Sequence, residues 1–214
     1  MFHDFSKNLI DAFKQPLPGK KAHAILKPYL SINKNIDAPS IITPKKGAVM
    51  ALIYPINNKP HLLFIERPEY DGVHSGQIAF PGGKIEKSDT SILHAALRET
   101  HEEVGIESEH IQLAGSLTEV FVFASNFMVY PYVGVMQEIP IFKLEKKEVA
   151  GILEIPLSHF FEDGIIKEKT IKNALGFNLQ APYYDLDGKV LWGATAMMVS
   201  ELCSIIQENN IRVK

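Results

Sequence analysis

The run from Phe80 to Ile106, FPGGKIEKSDTSILHAALRETHEEVGI, constrains this chain more than any other stretch. Its second half has the make-up of an amphipathic helix closed by Gly105, and its first half is a glycine turn after a short apolar strand. On a helix, positions three and four apart share a face, so Glu99, Glu102 and Glu103 project together, while Leu93, Leu97, Thr100 and Val104 have the spacing of a buried stripe. Three crowded carboxylates repel one another, and a solvated helix gains nothing from that arrangement. A hard divalent cation removes the repulsion, because Mg²⁺ and Mn²⁺ prefer oxygen ligands. A glutamate-rich helix is more often a solvated surface. What distinguishes this one is its combination with Pro81-Gly82-Gly83, a helix start at Ser88 or Asp89, and the closing glycine.

That combination resembles the Nudix box, G-x5-E-x7-R-E-U-x-E-E-x-G-U with U apolar. Arg98 to Ile106 fits the second half, Thr100 standing at the first U. In the first half, strict counting places Thr90 and Lys84 where the box has Glu and Gly; with one inserted residue, Gly83 and Asp89 take those places, Asp replacing Glu. The resemblance implies an α/β fold, a Nudix-type α/β/α sandwich around a mixed β-sheet, and metal-dependent cleavage of a diphosphate. The implied metal ligands are Glu99, Glu102 and Glu103 for Mg²⁺ or Mn²⁺, with a backbone carbonyl near Gly83 as a further ligand and one glutamate, Glu99 in the first instance, able to act as base instead. Arg98 shares a face with Glu102 one turn on, so it is expected to orient that carboxylate.

The flanks are similar to those of coenzyme A diphosphatases, which carry L-L-T-x-R-[SA]-x3-R-x-H-x-G-x-V-x-F-P-G-G ahead of the box. Leu63, Arg67, His74, Gly76 and Phe80 to Gly83 match in register; Phe64, Ile65, Pro68, Gly72 and Ile78 depart, and Gly72 stands where that motif has its second arginine. Ser125-Asn126-Phe127, Pro131 to Gly134, Glu148-Val149 and Trp192 to Ala196 are also similar. The implied substrate is coenzyme A or acyl-CoA, giving 3′,5′-ADP and phosphopantetheine. The rival substrates are ADP-ribose, a dinucleotide or a nucleoside triphosphate, and the rival class is a Nudix-fold module that binds a nucleotide without cleaving it. Arg67 is the candidate phosphate contact. His74, Lys84, Ser125 and Phe127 are further candidates for substrate, Phe127 offering a surface to an adenine ring. Glu148 reads equally as an extra carboxylate near the metal or as the partner of Lys146 or Lys147, and Trp192 reads as core.

With 214 residues, 46% of them hydrophobic, the chain is long enough for one globular domain, read as residues 47–214 preceded by a helix and an extended connection over 1–46. The net charge of −3 gives no electrostatic case for nucleic acid, and no apolar run is long enough to cross a membrane. A single cysteine, Cys203, precludes an internal disulfide and sits at core spacing, so the chain is expected to be cytoplasmic. Phe2, Phe5, Leu9 and Phe13 share one helical face that can pack on its own domain, a partner subunit or a membrane surface; its polar side is not strongly basic, which favours packing, and a homodimer is the partner expectation. His101-Glu102 lacks the second histidine of a zinc-protease helix, since Gly105 stands there, and no nucleotide-binding glycine loop or hydrolase elbow is present.

Overall fold

A computed structural model of the chain describes residues 1–30, 43–71, 74–172 and 178–213. Gly72, which stands where the upstream motif has its second arginine, lies outside the described residues. The frame is a mixed sheet built on β2 (Lys45–Ile56), which pairs antiparallel with β3 (Lys59–Glu66) through the Asn57-Asn58 turn, where both residues have positive φ. On its other side β2 runs parallel to β8 (Phe127–Val135). β4 (Ile78–Ala79) and β9 (Gly151–Pro156) pair with β3, β5 (Gly82–Lys84) with β2, and β6 (Gln112–Ser116) and β7 (Val120–Val122) with β8.

Alternation along β2 and β3 sorts side chains onto two faces. Ala48, Met50, Leu52 and Tyr54, with Leu63 and Ile65, pack with Ala95, Ala96 and Val104 of α3 (Ile92–Val104). Ala51, Ile53, Leu62 and Phe64 face the other way, into a core shared with Phe2, Phe5 and Leu9 of α1 (Phe2–Ala12) and with Leu202 and Ile206 of α4 (Gly193–Glu208). The result is the expected α/β/α sandwich. The apolar face of α1 is thus consumed within its own chain, which removes the exposed surface that suggested a second copy. Among the described residues no helix is long and apolar enough to cross a membrane.

A second, smaller antiparallel sheet joins β1 (Tyr29–Leu30), β11 (Asn178–Leu186), β10 (Ile166–Lys172) and β12 (Lys189–Trp192). The segment expected to be an extended connection over 20–46 instead contains a helix, α2 (Lys20–Leu26), as well as β1. Seven residues do not hold a helix in water; α2 is fixed by burying Ala22 and Leu26 and by a polar tie to α4. Glu201 accepts from Gly19 N at 3.0 Å, from His23 Nε2 at 2.9 Å, and from Thr118 N and Oγ1 at 3.0 and 2.7 Å. Its side chain is fully buried, and the donors hold it ionised, below the usual glutamate range, against the cost of burial.

Two element boundaries differ from expectation. The short apolar strand expected ahead of the glycine turn is only the two residues of β4, because Ser75-Gly76 forms a turn in which Gly76 has φ +64°. α3 starts at Ile92, not at Ser88 or Asp89: Ser91 Oγ caps it by accepting from His94 N, and the Asp89 carboxylate is engaged elsewhere.

Candidate active site

The site forms where β5 passes the carboxylate face of α3. Helical spacing aims Glu99 and Glu103 at the glycine turn, and the turn has no side chain to obstruct them. A Cβ on Gly83 would overlap the Glu99 carboxylate, and one on Gly82, at φ +152°, would overlap Ala48 O. Gly82 N donates to Glu103 Oε2 at 2.8 Å, so backbone and carboxylate are fixed together. At the far end of α3, Lys143 N donates to Val104 O and Glu145 N to Glu103 O, at 2.9 and 3.0 Å. That strap leads into a turn whose Val149 is buried and whose Ala150 N donates to Glu66 O at 2.8 Å. The turn presents Glu148, and ligand oxygens of Glu99, Glu103 and Glu148 lie within 4.8 Å of one another.

Three carboxylates this close cannot all be charged without cost. Burial, opposed by the Gly82 N–H and Arg67 and reinforced by Glu99 and Glu148, pushes Glu103 up to about 8; burial also raises Glu99, against the pull of Arg98. An all-oxygen donor set in which burial disfavours the charged forms of Glu99 and Glu103 suits a hard divalent cation, so these residues fit the metal implied by the sequence. Glu102 stands apart from the trio: it is half exposed, and its Oε2 accepts from Arg98 Nη1 at 2.8 Å. Arg98 thus bonds Glu102, and it reaches Glu99 Oε1 at 3.0 Å as well. Its other nitrogens are bound by Asp89 and by Lys84 O, and Asp89, with its side chain fully buried, is held far below the usual carboxylate range chiefly by Arg98. Asp89, where the box has Glu, thus serves as the anchor of the arginine.

The remaining sequence candidates all line one cavity of about 680 Å³ together with Glu99, Glu103 and Glu148. Arg67 lies on its wall with Nε buried and, among the described residues, lacking a hydrogen-bond partner. His74 Nδ1 bonds Gln77 Oε1 at 3.0 Å, within its own loop, while still facing the cavity. Gly83, Lys84, Ser125 and Phe127 complete the set, with Lys45 Nζ 5.8 Å above the Phe127 ring. Glu148 makes no ion pair with Lys146 or Lys147, and Trp192, expected in the core, is half-buried and lines the cavity. Lys27 and Pro28, from the segment read as a mere connection, line it too, as does Lys172. No sequence spacing signals these, because folding of the second sheet brings them in.

A carboxylate array on a helix beside a glycine turn, carried by a mixed sheet between helices, defines a metal-dependent pyrophosphohydrolase of the Nudix fold. The chain belongs to the NUDIX family: the NUDIX domain model matches residues 44–167. It is 33% identical to an uncharacterized Nudix hydrolase NudL of Yersinia enterocolitica over 71% of this chain and 78% of that protein, and 34% identical to a NudL of Citrobacter koseri over 67% and 74%. Its fold is similar to that of the Nudix hydrolase RenU of M. smegmatis, with a TM-score of 0.52 over 79% of this chain and 88% of that one at 13% identity. The protein is therefore a Nudix hydrolase, an enzyme of a family that generally uses divalent metal ions.

Proposed function

We propose that the enzyme hydrolyses the diphosphate of coenzyme A or acyl-CoA, with Mg²⁺ or Mn²⁺ held by Glu99, Glu103 and Glu148. The observation that carries this reading is Arg67: an arginine whose buried Nε has no hydrogen-bond partner among the described residues, on the wall of the carboxylate cavity, is a site suited to an anion. Arg67 and His74, the two polar side chains of the upstream motif that is similar to coenzyme A diphosphatases, both line that cavity.

The metal, when bound, neutralises the diphosphate oxygens and makes water a better nucleophile. The chain supplies the rest. Arg67 binds the phosphate oxygens, and Gly82 N fixes Glu103. Arg98, anchored by Asp89, sets Glu99 and Glu102 in place, and Glu102, the most solvent-facing of the three helix glutamates, is a further ligand or takes the proton of the attacking water. Attack at one phosphorus forms a new P–O bond, breaks the bridging P–O bond and leaves the second phosphate on its own half of the substrate.

Product identification by mass spectrometry tests the proposal, using a panel of coenzyme A, ADP-ribose, NADH, diadenosine polyphosphates and nucleoside triphosphates, each with Mg²⁺ and with Mn²⁺. Preferential conversion of coenzyme A to 3′,5′-ADP, absent from a Glu103→Gln protein, is expected. Preferential cleavage of another member overturns the substrate assignment, and ligand binding without any cleavage overturns the catalytic one.

A further inference from the structure

The cavity reaches well beyond the carboxylates, and its other rim is apolar. Phe121 and Phe123, on β7 and the turn that follows it, line this rim and are each 48% exposed. Phe121 pairs across to Met128, Met128 to Lys46, and the neighbouring residues of β2 to β5. β7 thus lies three strand spacings from the glycine turn, about 14 Å at ~4.8 Å per strand. Alternation turns Val120 inward, where it is buried, and leaves the two aromatic rings in water. A single exposed aromatic is ordinary; two in mutual contact on the rim of a catalytic cavity form a surface that a ligand can cover.

Their geometry says what kind of ligand. The ring centroids are 6.5 Å apart and the planes stand at 86°. Perpendicular rings do not offer the parallel faces between which a flat base is sandwiched. An alkyl chain has no such directional demand and fits an angled apolar wall. The same cavity takes aliphatic surface from Pro28 after α2, Leu179 of β11 and Met197 of α4, the last an adaptable side chain that re-packs around chains of different length. None of this surface serves the cleavage of a diphosphate, whose needs are met by Arg67 and the glutamates.

We infer that the Phe121–Phe123 rim seats the S-acyl chain of the substrate, so that the enzyme prefers acylated to free coenzyme A. The inference rests on the coenzyme A assignment above. Its test is the ratio of kcat/KM for octanoyl-CoA to kcat/KM for free coenzyme A, measured for the wild type, for Phe121→Ser/Phe123→Ser and for Phe121→Leu/Phe123→Leu, each checked for folding by circular dichroism. The wild-type ratio is expected on the order of tenfold, the contribution of roughly two methylenes removed from water. The serine pair brings it close to one, and the leucine pair, apolar but without rings, keeps most of it. A wild-type ratio near one with brisk cleavage of both substrates overturns this inference and leaves the activity standing, as does an undiminished ratio in the folded serine variant. Equal loss of kcat/KM on both substrates in the leucine and serine variants, with the ratio unmoved, assigns the rings to a part common to both substrates, such as the base, and overturns it as well. Cleavage of neither substrate overturns both readings together.

Discussion

Arg98 and Asp89 meet at two points, Nε donating to Oδ1 at 3.0 Å and Nη2 to Oδ2 at 3.1 Å, while the free edge of the same guanidinium reaches Glu99 and Glu102. The carboxylates are thus aligned by an arginine that is itself aligned by a buried acid. Removing that acid leaves a largely buried guanidinium without its principal counter-charge. Asp89→Asn is expected to cost about 3 kcal/mol of stability and to lower kcat more than it raises KM. Denaturant unfolding and steady-state kinetics check this; an unchanged kcat in a folded variant would show that Arg98 holds Glu99 and Glu102 in place without the Asp89 charge.

A pH dependence follows from Glu103. Its ordinary pKa of 4.5 is raised to about 8 in the folded, metal-free protein, so between those values the folded state holds a proton that the unfolded chain has released. Stability of the metal-free protein therefore falls as pH rises across that window. Calorimetry is expected to show a melting temperature that declines from pH 5 to pH 8, a shallower decline in Glu103→Gln, and removal of the decline by saturating Mg²⁺ or Mn²⁺, which favours the charged carboxylates. A flat profile for the metal-free wild type would contradict the raised value.

Gly83 tests the closeness of turn and helix. Its backbone suits any residue, but a methyl group there overlaps the Glu99 carboxylate. Gly83→Ala is expected to leave the fold intact and to reduce kcat/KM by about 100-fold, the scale of an ångström-sized misplacement in an active site. Metal titration alongside kinetics would show whether the loss arises in binding; near-normal activity would mean that Glu99 swings freely.

Glu201 tests the attachment of the N-terminal segment. Glu201→Ala strips acceptors from Gly19, His23 and Thr118 at once, and a loss of about 3–5 kcal/mol is expected, with faster amide exchange across α2. His23→Ala, which leaves Thr118 and Gly19 in place, is expected to cost less. Equal effects of the two substitutions would mean that the histidine alone carries the tie.

Where periodicity governs, the sequence was a good guide. The pairing of β2 with β3, the helix bearing the glutamates and the apolar faces of α1 and α4 are written in spacings of two and of three to four residues. Glu99 and Glu103 are one turn apart, and their shared face of the helix could be read directly. Glu102 shares the helix but sits towards Arg98, and the third carboxylate of the trio is Glu148, forty-five positions after Glu103 and delivered by the strap that binds the end of α3. No local pattern encodes that meeting. The short helix α2 was illegible for a related reason: its own seven residues do not stabilise it, and its polar partner, Glu201, lies at the other end of the chain.

That last relationship reaches into how the protein is made. Gly19 and His23 bond to a residue 182 and 178 positions away, and the apolar face of α1 shares its core with α4. During synthesis α1 emerges long before α4, so the core that Phe2, Phe5 and Leu9 share with β2 and β3 stays incomplete until Leu202 and Ile206 arrive. Contacts of such sequence separation slow folding, and apolar surface left waiting is what chaperones bind. The late arrival of α4 therefore leaves part of the core open until the end of the domain is made, and that interval is when a chaperone would find apolar surface to bind.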